Sequence, residues 1–265
     1  RLMTSRSVPP VYRAAAMILR PLARVVARRD WQGAEHLPPT GGFIAVANHV
    51  TNLDAIVFAH FLYDHGAPPR FLAKHTLFEV PVFGSLIRRS GQIPVHRNTP
   101  EAGAALGPAR ELLDAGHCLG IFPEGTFTRD PDLWPMTARP GAVRLALASR
   151  VPIIPVAQWG AQDILGRYAK LPRPLPRKTV HVHAGPPVHL DDLYDRADDP
   201  AVLREATERI MGTITAMLAD IRGEQPPDRA YDTRRDGDPR AEELAAKAAR
   251  RRARRRGRRQ SGTHD

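Results

Sequence analysis

His49 and Asp54 stand five residues apart in Asn48-His-Val-Thr-Asn-Leu-Asp54, between an apolar run of strand length at 43–47 and residues 53–63, whose apolar spacing is helical. A histidine in the turn that leaves a strand lies where open α/β sheets gather their ligands. A carboxylate in the first turn of the next helix can fold back and accept the proton on its Nδ1. That fixes the tautomer and leaves Nε2 as a free base. Taken alone, such a pair is most simply a helix-start aspartate near an unrelated surface histidine. Three further stretches change that reading.

The second stretch starts at Lys74, passes Leu77, Pro81, Phe83 and Gly84, and ends in Gly91-Gln-Ile-Pro-Val-His-Arg97. Gly91 followed by alternating Ile93 and Val95 predicts a strand, with Arg97 emerging at its far end. A guanidinium there can hold a phosphate through two parallel hydrogen bonds. The third, Phe122-Pro-Glu124-Gly125-Thr126-Phe-Thr-Arg129, also lies where an apolar strand runs out. Gly125 permits a sharp turn, and Glu124 and Arg129 stand near the mouth. In the fourth, Val151-Pro-Ile-Ile-Pro155, two prolines bracket a buried strand.

The elements that must position these residues are short apolar runs at 43–47, 71–73, 93–95, 119–122, 153–157 and 180–182, with a further strand near Trp31. Between them lie helical patterns at 53–63, 101–115 and 142–149, and a last helix over 201–222 closes the core. The alternation predicts an α/β domain over 30–222 with a mixed, largely parallel sheet of about seven strands covered by helices. Residues 1–29 hold an amphipathic helix, with Val11, Ala15, Ile18, Leu19, Leu22, Val25 and Val26 spaced by three or four between Arg13, Arg20, Arg24 and Arg28, kinked or interrupted at Pro21. Such a helix packs on the body or lies in a membrane interface.

With 265 residues, 42% hydrophobic and 25% charged, the chain supports one domain with a full core and is not disordered as a whole. No apolar stretch approaches the roughly 20 residues a spanning helix needs. A single cysteine, Cys118, excludes an intrachain disulfide framework and a cysteine-cluster metal site, and is read as a buried strand residue. His181 and His183 alternate on one strand and could share a metal, but no third ligand lies near them in sequence, so no metal site is expected. The opening residues lack the order of a secretory signal, and the expected location is the cytoplasmic side. The net charge of +11 is uneven: 223–265 carries 13 basic against 8 acidic residues, eight of the basic ones in the run 250–259. This segment is expected to be a disordered basic tail, with one solvated helix near 240–256, that attracts a polyanion, either an anionic membrane or nucleic acid. Without interleaved aromatics or a nucleic-acid-binding motif elsewhere, no specific nucleic acid is expected.

The four stretches together, N-H-x4-D, G-x-I-x-x-x-R, F-P-E-G-T and V-P-I-x-P, with K-x-x-L-x-x-x-P-x-F-G ahead of the second, resemble the glycerophospholipid acyltransferase family, in particular its bacterial 1-acylglycerol-3-phosphate acyltransferases. The likeness covers about 40–190. One departure is that Phe127 and Thr128 separate Arg129 from the E-G-T step, where the family often places its basic residue at once. The resemblance implies acyl transfer from acyl-CoA or acyl carrier protein to the hydroxyl of 1-acylglycerol-3-phosphate, or, with the same chemistry, to another lysophospholipid, glycolipid or polyol. It implies His49 and Asp54 as the catalytic pair, Arg97, Arg129 and Lys74 as phosphate-side cations, and Glu124, Gly125 and Thr126 as substrate-binding positions. It calls for no cofactor beyond the thioester co-substrate and no metal. A lysophospholipid acceptor in turn implies an enzyme held peripherally or monotopically on the cytoplasmic face of the membrane, against anionic lipids.

Overall fold

From edge to edge a seven-stranded sheet runs through β1 (Ala27–Gln32), β7 (Lys178–Ala184), β6 (Ile153–Trp159), β2 (Phe43–Ala47), β5 (Cys118–Ile121), β3 (Pro69–Lys74) and β4 (Ile93–Val95). The structure is a computed structural model and describes residues 6–95, 106–197 and 199–260, with side chains as far as residue 249. In chain order its elements are α1 (Pro10–Val26), β1 (Ala27–Gln32), β2 (Phe43–Ala47), α2 (Leu53–Asp64), β3 (Pro69–Lys74), α3 (Phe83–Arg89) and β4 (Ile93–Val95). There follow α4 (Leu106–Asp114), β5 (Cys118–Ile121), α5 (Gly141–Ser149), β6 (Ile153–Trp159), α6 (Ala161–Ile164), β7 (Lys178–Ala184), α7 (Pro200–Arg222), α8 (Thr233–Asp236) and α9 (Pro239–Gln260). Every strand pair is parallel except β6 with β7. The mixed, largely parallel sheet with its N-terminal helix is the architecture read from the sequence.

Alternation along the central strands builds two cores. Ile44, Val46, Leu119, Ile121 and Ile153 face α4, α5 and α7, where Leu113, Leu145, Ile210 and Ile214 meet them. Phe43, Ala45, Ala47, Ile154 and Val156 face the other way, onto Phe58, Phe61 and Leu62 of α2. Cys118 lies fully buried on this second face, and burial pushes its thiol up to about 12, which leaves it a packing residue. Helix α7 has the local signals for its length. The Asp199 carboxylate accepts from Ala201 N, Pro200 stands at the first helical position, and Gly223 closes the end with φ +63°.

Three boundaries differ from the sequence reading. Helix α1 continues through Pro21 as one element of 17 residues and ends at Val26, because Ala27 turns into β1 and pairs with β7. Pro155 lies within β6 instead of closing it, opposite Val46 of β2. The segment after Gly223 folds back on the body: Tyr231 bridges to Met136 with Thr137 N donating to Tyr231 O at 2.9 Å, and the Tyr231 hydroxyl caps the turn at Asp236 and Gly237. Composition alone reads this stretch as solvated, since its contacts come from a few side chains and not from a periodic apolar face. Helix α9 carries the arginine-rich end away with no buried residue among those described.

Because β2, β3, β4, β5 and β6 all run the same way, their C-terminal ends share one edge of the sheet. Asn48 follows β2, Lys74 ends β3, and the Phe122–Arg129 loop follows β5. Sequence motifs separated by up to 110 residues, as Asn48 and Gln158 are, therefore reach one place.

Candidate active site

The turn from β2 into α2 is organised by one carboxylate oxygen. Asp54 Oδ2 accepts from Val50 N at 2.6 Å and Thr51 N at 2.8 Å, and it lies 3.0 Å from His49 Nδ1. Asp54 is buried, so its charge is matched by these donors and by the N-terminus of α2. An ionised carboxylate is acceptor only, so the proton on the His49 ring sits on Nδ1, and Nε2 is the nitrogen able to take another. The ring stacks on Phe122 at 4.0 Å between centroids and meets the edge of Phe127 at 4.6 Å. Two aromatic walls and one carboxylate thus fix its orientation.

The strand end itself is locked by Asn48 and Thr128, motif positions with no role expected from the sequence. Asn48 is buried; its Nδ2 donates to Gln158 O at 3.0 Å, its Oδ1 accepts from Gln158 N at 2.9 Å, and its carbonyl accepts from Gln158 Nε2 at 2.8 Å. A polar side chain at the end of an all-apolar strand is the signal that could have found it, because burial there demands partners. Thr128 closes the other side, with its N–H donating to His49 O at 2.8 Å and its hydroxyl to Trp134 O at 2.6 Å.

Glu124 lies beneath the histidine and does not line the cavity. His49 N donates to its Oε1 at 2.9 Å and Met136 N to its Oε2 at 3.0 Å, and only 3% of the residue is exposed. Burial pushes its carboxyl up to about 8 against those two donors, with Asp54 and Asp130 adding to the rise. The expected substrate-binding position Glu124 is therefore placed behind the cavity wall and turned to the backbone. Both oxygens are spent on backbone, and its role is to hold His49 and the segment at Met136 in place. Gly125 takes φ +73°, which lets the loop reverse immediately after this buried acid.

His49, Lys74 and Thr126 line one cavity of about 580 Å³. Its walls are mostly apolar: Ala15 and Leu19 of α1, Ile56 and Ala59 of α2, and Phe83 and Leu86 of α3 are among them. Lys74 stands exposed at the rim. Arg129 is not in this lining. Its Nε donates to Asp238 at 3.0 Å, and its Nη1 donates to the Tyr168 hydroxyl at 2.9 Å and to Phe127 O at 3.0 Å. With Phe127 and Thr128 between it and Thr126, Arg129 reaches past the cavity to the chain that follows α7. Arg97 lies outside the described residues; β4 ends at Val95, on the edge shared by the other motifs. Away from this edge, His181 and His183 do acquire a third neighbour, because the parallel pairing of β1 with β7 sets Asp30 opposite His181.

A mixed, largely parallel α/β sheet thus presents, at one edge, a carboxylate-held histidine to a mostly apolar cavity. The acyltransferase family model matches residues 28–159, from β1 to the end of β6. These residues form an acyltransferase-family domain. The 1-acyl-sn-glycerol-3-phosphate acyltransferase of Borreliella burgdorferi is 26% identical over 185 residues, which are 69% of this chain and 71% of that protein. The 1-acyl-sn-glycerol-3-phosphate acyltransferase alpha of Ovis aries is 29% identical over 189 residues; the match takes 71% of this chain and 62% of the sheep protein's length. The crystal structure of the 1-acyl-sn-glycerophosphate (LPA) acyltransferase PlsC from Thermotoga maritima has a TM-score of 0.60 at 22% identity, covers 82% of this chain and 81% of its own, and establishes the likeness of fold.

Proposed function

We propose that this chain transfers an acyl group from an acyl thioester, carried on coenzyme A or acyl carrier protein, to the free hydroxyl of 1-acylglycerol-3-phosphate, giving phosphatidate. The observation that carries the reading is the His49–Asp54 dyad at the end of an apolar cavity of about 580 Å³. A secondary alcohol is un-ionised near pH 7, so it needs a base to attack. His49 Nε2 takes the hydroxyl proton as the oxygen attacks the thioester carbonyl; the tetrahedral intermediate collapses, the C–S bond breaks, and the departing thiolate takes the proton back. A thioester is already activated, so direct attack requires no covalent enzyme intermediate. The acyl chain lies in the apolar cavity, and Lys74 with Arg97 holds the acceptor phosphate and so places its hydroxyl beside the base.

The acceptor dissolves in a bilayer, and no helix among the described residues is long and apolar enough to cross one. Helix α1 has two apolar sides. Ala15 and Leu19 face the cavity, while Met17, Ile18, Leu22 and Val25 are between 58 and 74% exposed. Val82 and Phe83, before and at the start of α3, are also exposed. We place these groups in the interface of the cytoplasmic leaflet, with the enzyme peripheral or monotopic and anionic lipids attracted by its basic residues. Arg20 and Arg24 are turned inward to Asp64 at the end of α2, so they fasten α1 to the body and leave Arg13 on the outside.

A second acceptor class is favoured by one observation: Arg129 is held by Asp238, which leaves fewer cations for a phosphate. The same chemistry would then serve a glycolipid, polyol or other lysophospholipid. Purified protein with labelled acyl-CoA or acyl carrier protein and a panel of acceptors, with products identified by mass, tests both readings. Phosphatidate formed at a higher kcat/KM than any other product supports the first. Equal or better use of an acceptor without phosphate moves the assignment to the second, and no transfer to any acceptor refutes both.

A further inference from the structure

On β7, His181 and His183 are two residues apart and project from the same side of the strand. In the parallel register with β1, Asp30 lies opposite His181 and Gln32 opposite His183. The result is a convergence of three metal-ligating groups from two strands, remote from the dyad in sequence and made only by the pairing of residues about 150 apart. His181 Nδ1 lies 2.7 Å and His183 Nε2 3.2 Å from the same atom, Asp30 Oδ2. All three ligand atoms fall within 4.8 Å of one another, and the two rings are 6.1 Å apart and inclined by 71°.

We propose that Asp30, His181 and His183 form a binding site for a divalent transition-metal ion of the Zn2+ class. Around tetrahedral zinc at bond lengths of about 2.0–2.2 Å, ligand atoms stand roughly 3.4 Å apart, so a small outward movement of Asp30 Oδ2 suffices to admit the ion. Two imidazoles and one carboxylate suit zinc, cobalt or nickel, and are poor in oxygen for calcium or magnesium. Gln32 Nε2 donates to the other carboxylate oxygen, Asp30 Oδ1, at 3.1 Å, and so orients the ligand from outside the site. The three side chains are between 20 and 36% exposed, which gives an ion entry from solvent and a place for water as a further ligand. Arg28 lies on the same side of β1 as Asp30 and is the one cation of that strand turned toward this face; it is exposed and long enough to swing away.

The ion would not take part in acyl transfer. It would clip β1, an edge strand, to β7, and so secure the root of α1, which leads directly into β1. Edge strands are the weakest-held part of a sheet, and a three-point cross-link there resists their detachment.

The test uses the full chain without an affinity tag, stripped with chelator and titrated with Zn2+ alone against a chromophoric competitor. Saturable uptake of one ion per chain is expected, with the unfolding midpoint rising by roughly 5 to 10 °C at a hundredfold excess over Kd. His183→Gln and Asp30→Asn should each weaken uptake by at least about tenfold, while His189→Gln, whose imidazole pairs with Asp191 at the surface, should leave it unchanged. Co2+ in place of Zn2+ should give visible absorption of low-symmetry nitrogen and oxygen ligation in the wild type, reporting on the site without any variant. Absence of stoichiometric uptake, uptake undiminished in both site variants, or loss in His189→Gln would overturn the proposal. If a site variant fails to fold, the cobalt spectrum and the wild-type stoichiometry decide it.

Discussion

Asp54 uses a single oxygen to accept from one imidazole and two backbone N–H groups, so it orients the base and shapes the turn at once. His49→Ala removes the base, its hydrogen bond to Asp54 and two ring contacts, and leaves Asp54 its two backbone donors. It should lower turnover by about 10²- to 10⁴-fold with near-wild-type circular dichroism, and retention of a tenth of the rate would exclude His49 as general base. Asp54→Asn has a double effect. The rate should fall less than for His49→Ala, but stability should drop by about 1.5–3 kcal/mol as charge-assisted bonds become neutral ones, measurable by urea denaturation. Glu124 adds a pH dependence. Its carboxyl titrates near 8 in the fold against an ordinary value of 4.5, so the folded protein binds this proton more tightly than the unfolded chain. The stability it contributes is whole below about 4.5 and is lost as pH rises through 8. Burial of His60 and His117 lowers their pKa values below 6.5, giving a slope of opposite sign at acid pH. Subtracting the unfolding midpoints of Glu124→Gln from those of wild type between pH 5 and 9 removes these common contributions. The difference should fall with rising pH, and a flat or rising difference would contradict the shifted carboxyl.

At the scale of elements, α1 has a division of labour that its sequence spacing blurs. Leu19 and Leu22 read as one apolar stripe, yet Leu19 lines the cavity and Leu22 points outward. Replacing Ile18, Leu22 and Val25 by Ser should release the protein from vesicles even at low salt while activity on detergent-dispersed substrate persists, since each buried apolar side chain is worth about 1.5–3 kcal/mol. Leu19→Ser should instead damage activity in detergent as well. Co-sedimentation at two salt concentrations, paired with the detergent assay, distinguishes the two faces; equal behaviour of the two variants would undo the assignment. Salt has less leverage on such binding than on that of a basic segment, because screening acts on charge and not on apolar burial.

For the whole molecule, the chain beyond α7 divides at about residue 240. Up to Asp238 it touches the body through Tyr231 and the Arg129–Asp238 pair, and Arg222 sits between Trp134 and Trp159, with ring distances of 3.9 and 4.3 Å. Truncation after residue 245 should leave the unfolding midpoint unchanged and make vesicle binding less salt-sensitive. Truncation after 223 should lower the midpoint by several degrees and free Arg129. Equal midpoints for the two truncations, compared by calorimetry, would show that the returning segment contributes nothing to stability.

The strands, the order β-α-β-α and the helix over 201–222 were legible in the sequence because each rests on local spacing, period two in strands and three to four in helices; His49 and Asp54, singled out through the resemblance of four motifs, do meet in the fold. The F-P-E-G-T stretch at 122–126 was singled out in the same way, and of it Phe122 and Thr126 line the cavity. What those residues face follows from the packing of distant strands. Glu124 proves to be a buried support because β5 sets it under the β2 turn, and Arg129 is drawn off by an aspartate 109 residues further on. Asn48 finds its partner on β6, and His181 and His183 gain Asp30, through strand pairings that join distant parts of the chain. Periodicity reports which side of an element is apolar; which neighbour arrives on that side follows from strand order, and strand order is an outcome of packing the whole chain at once.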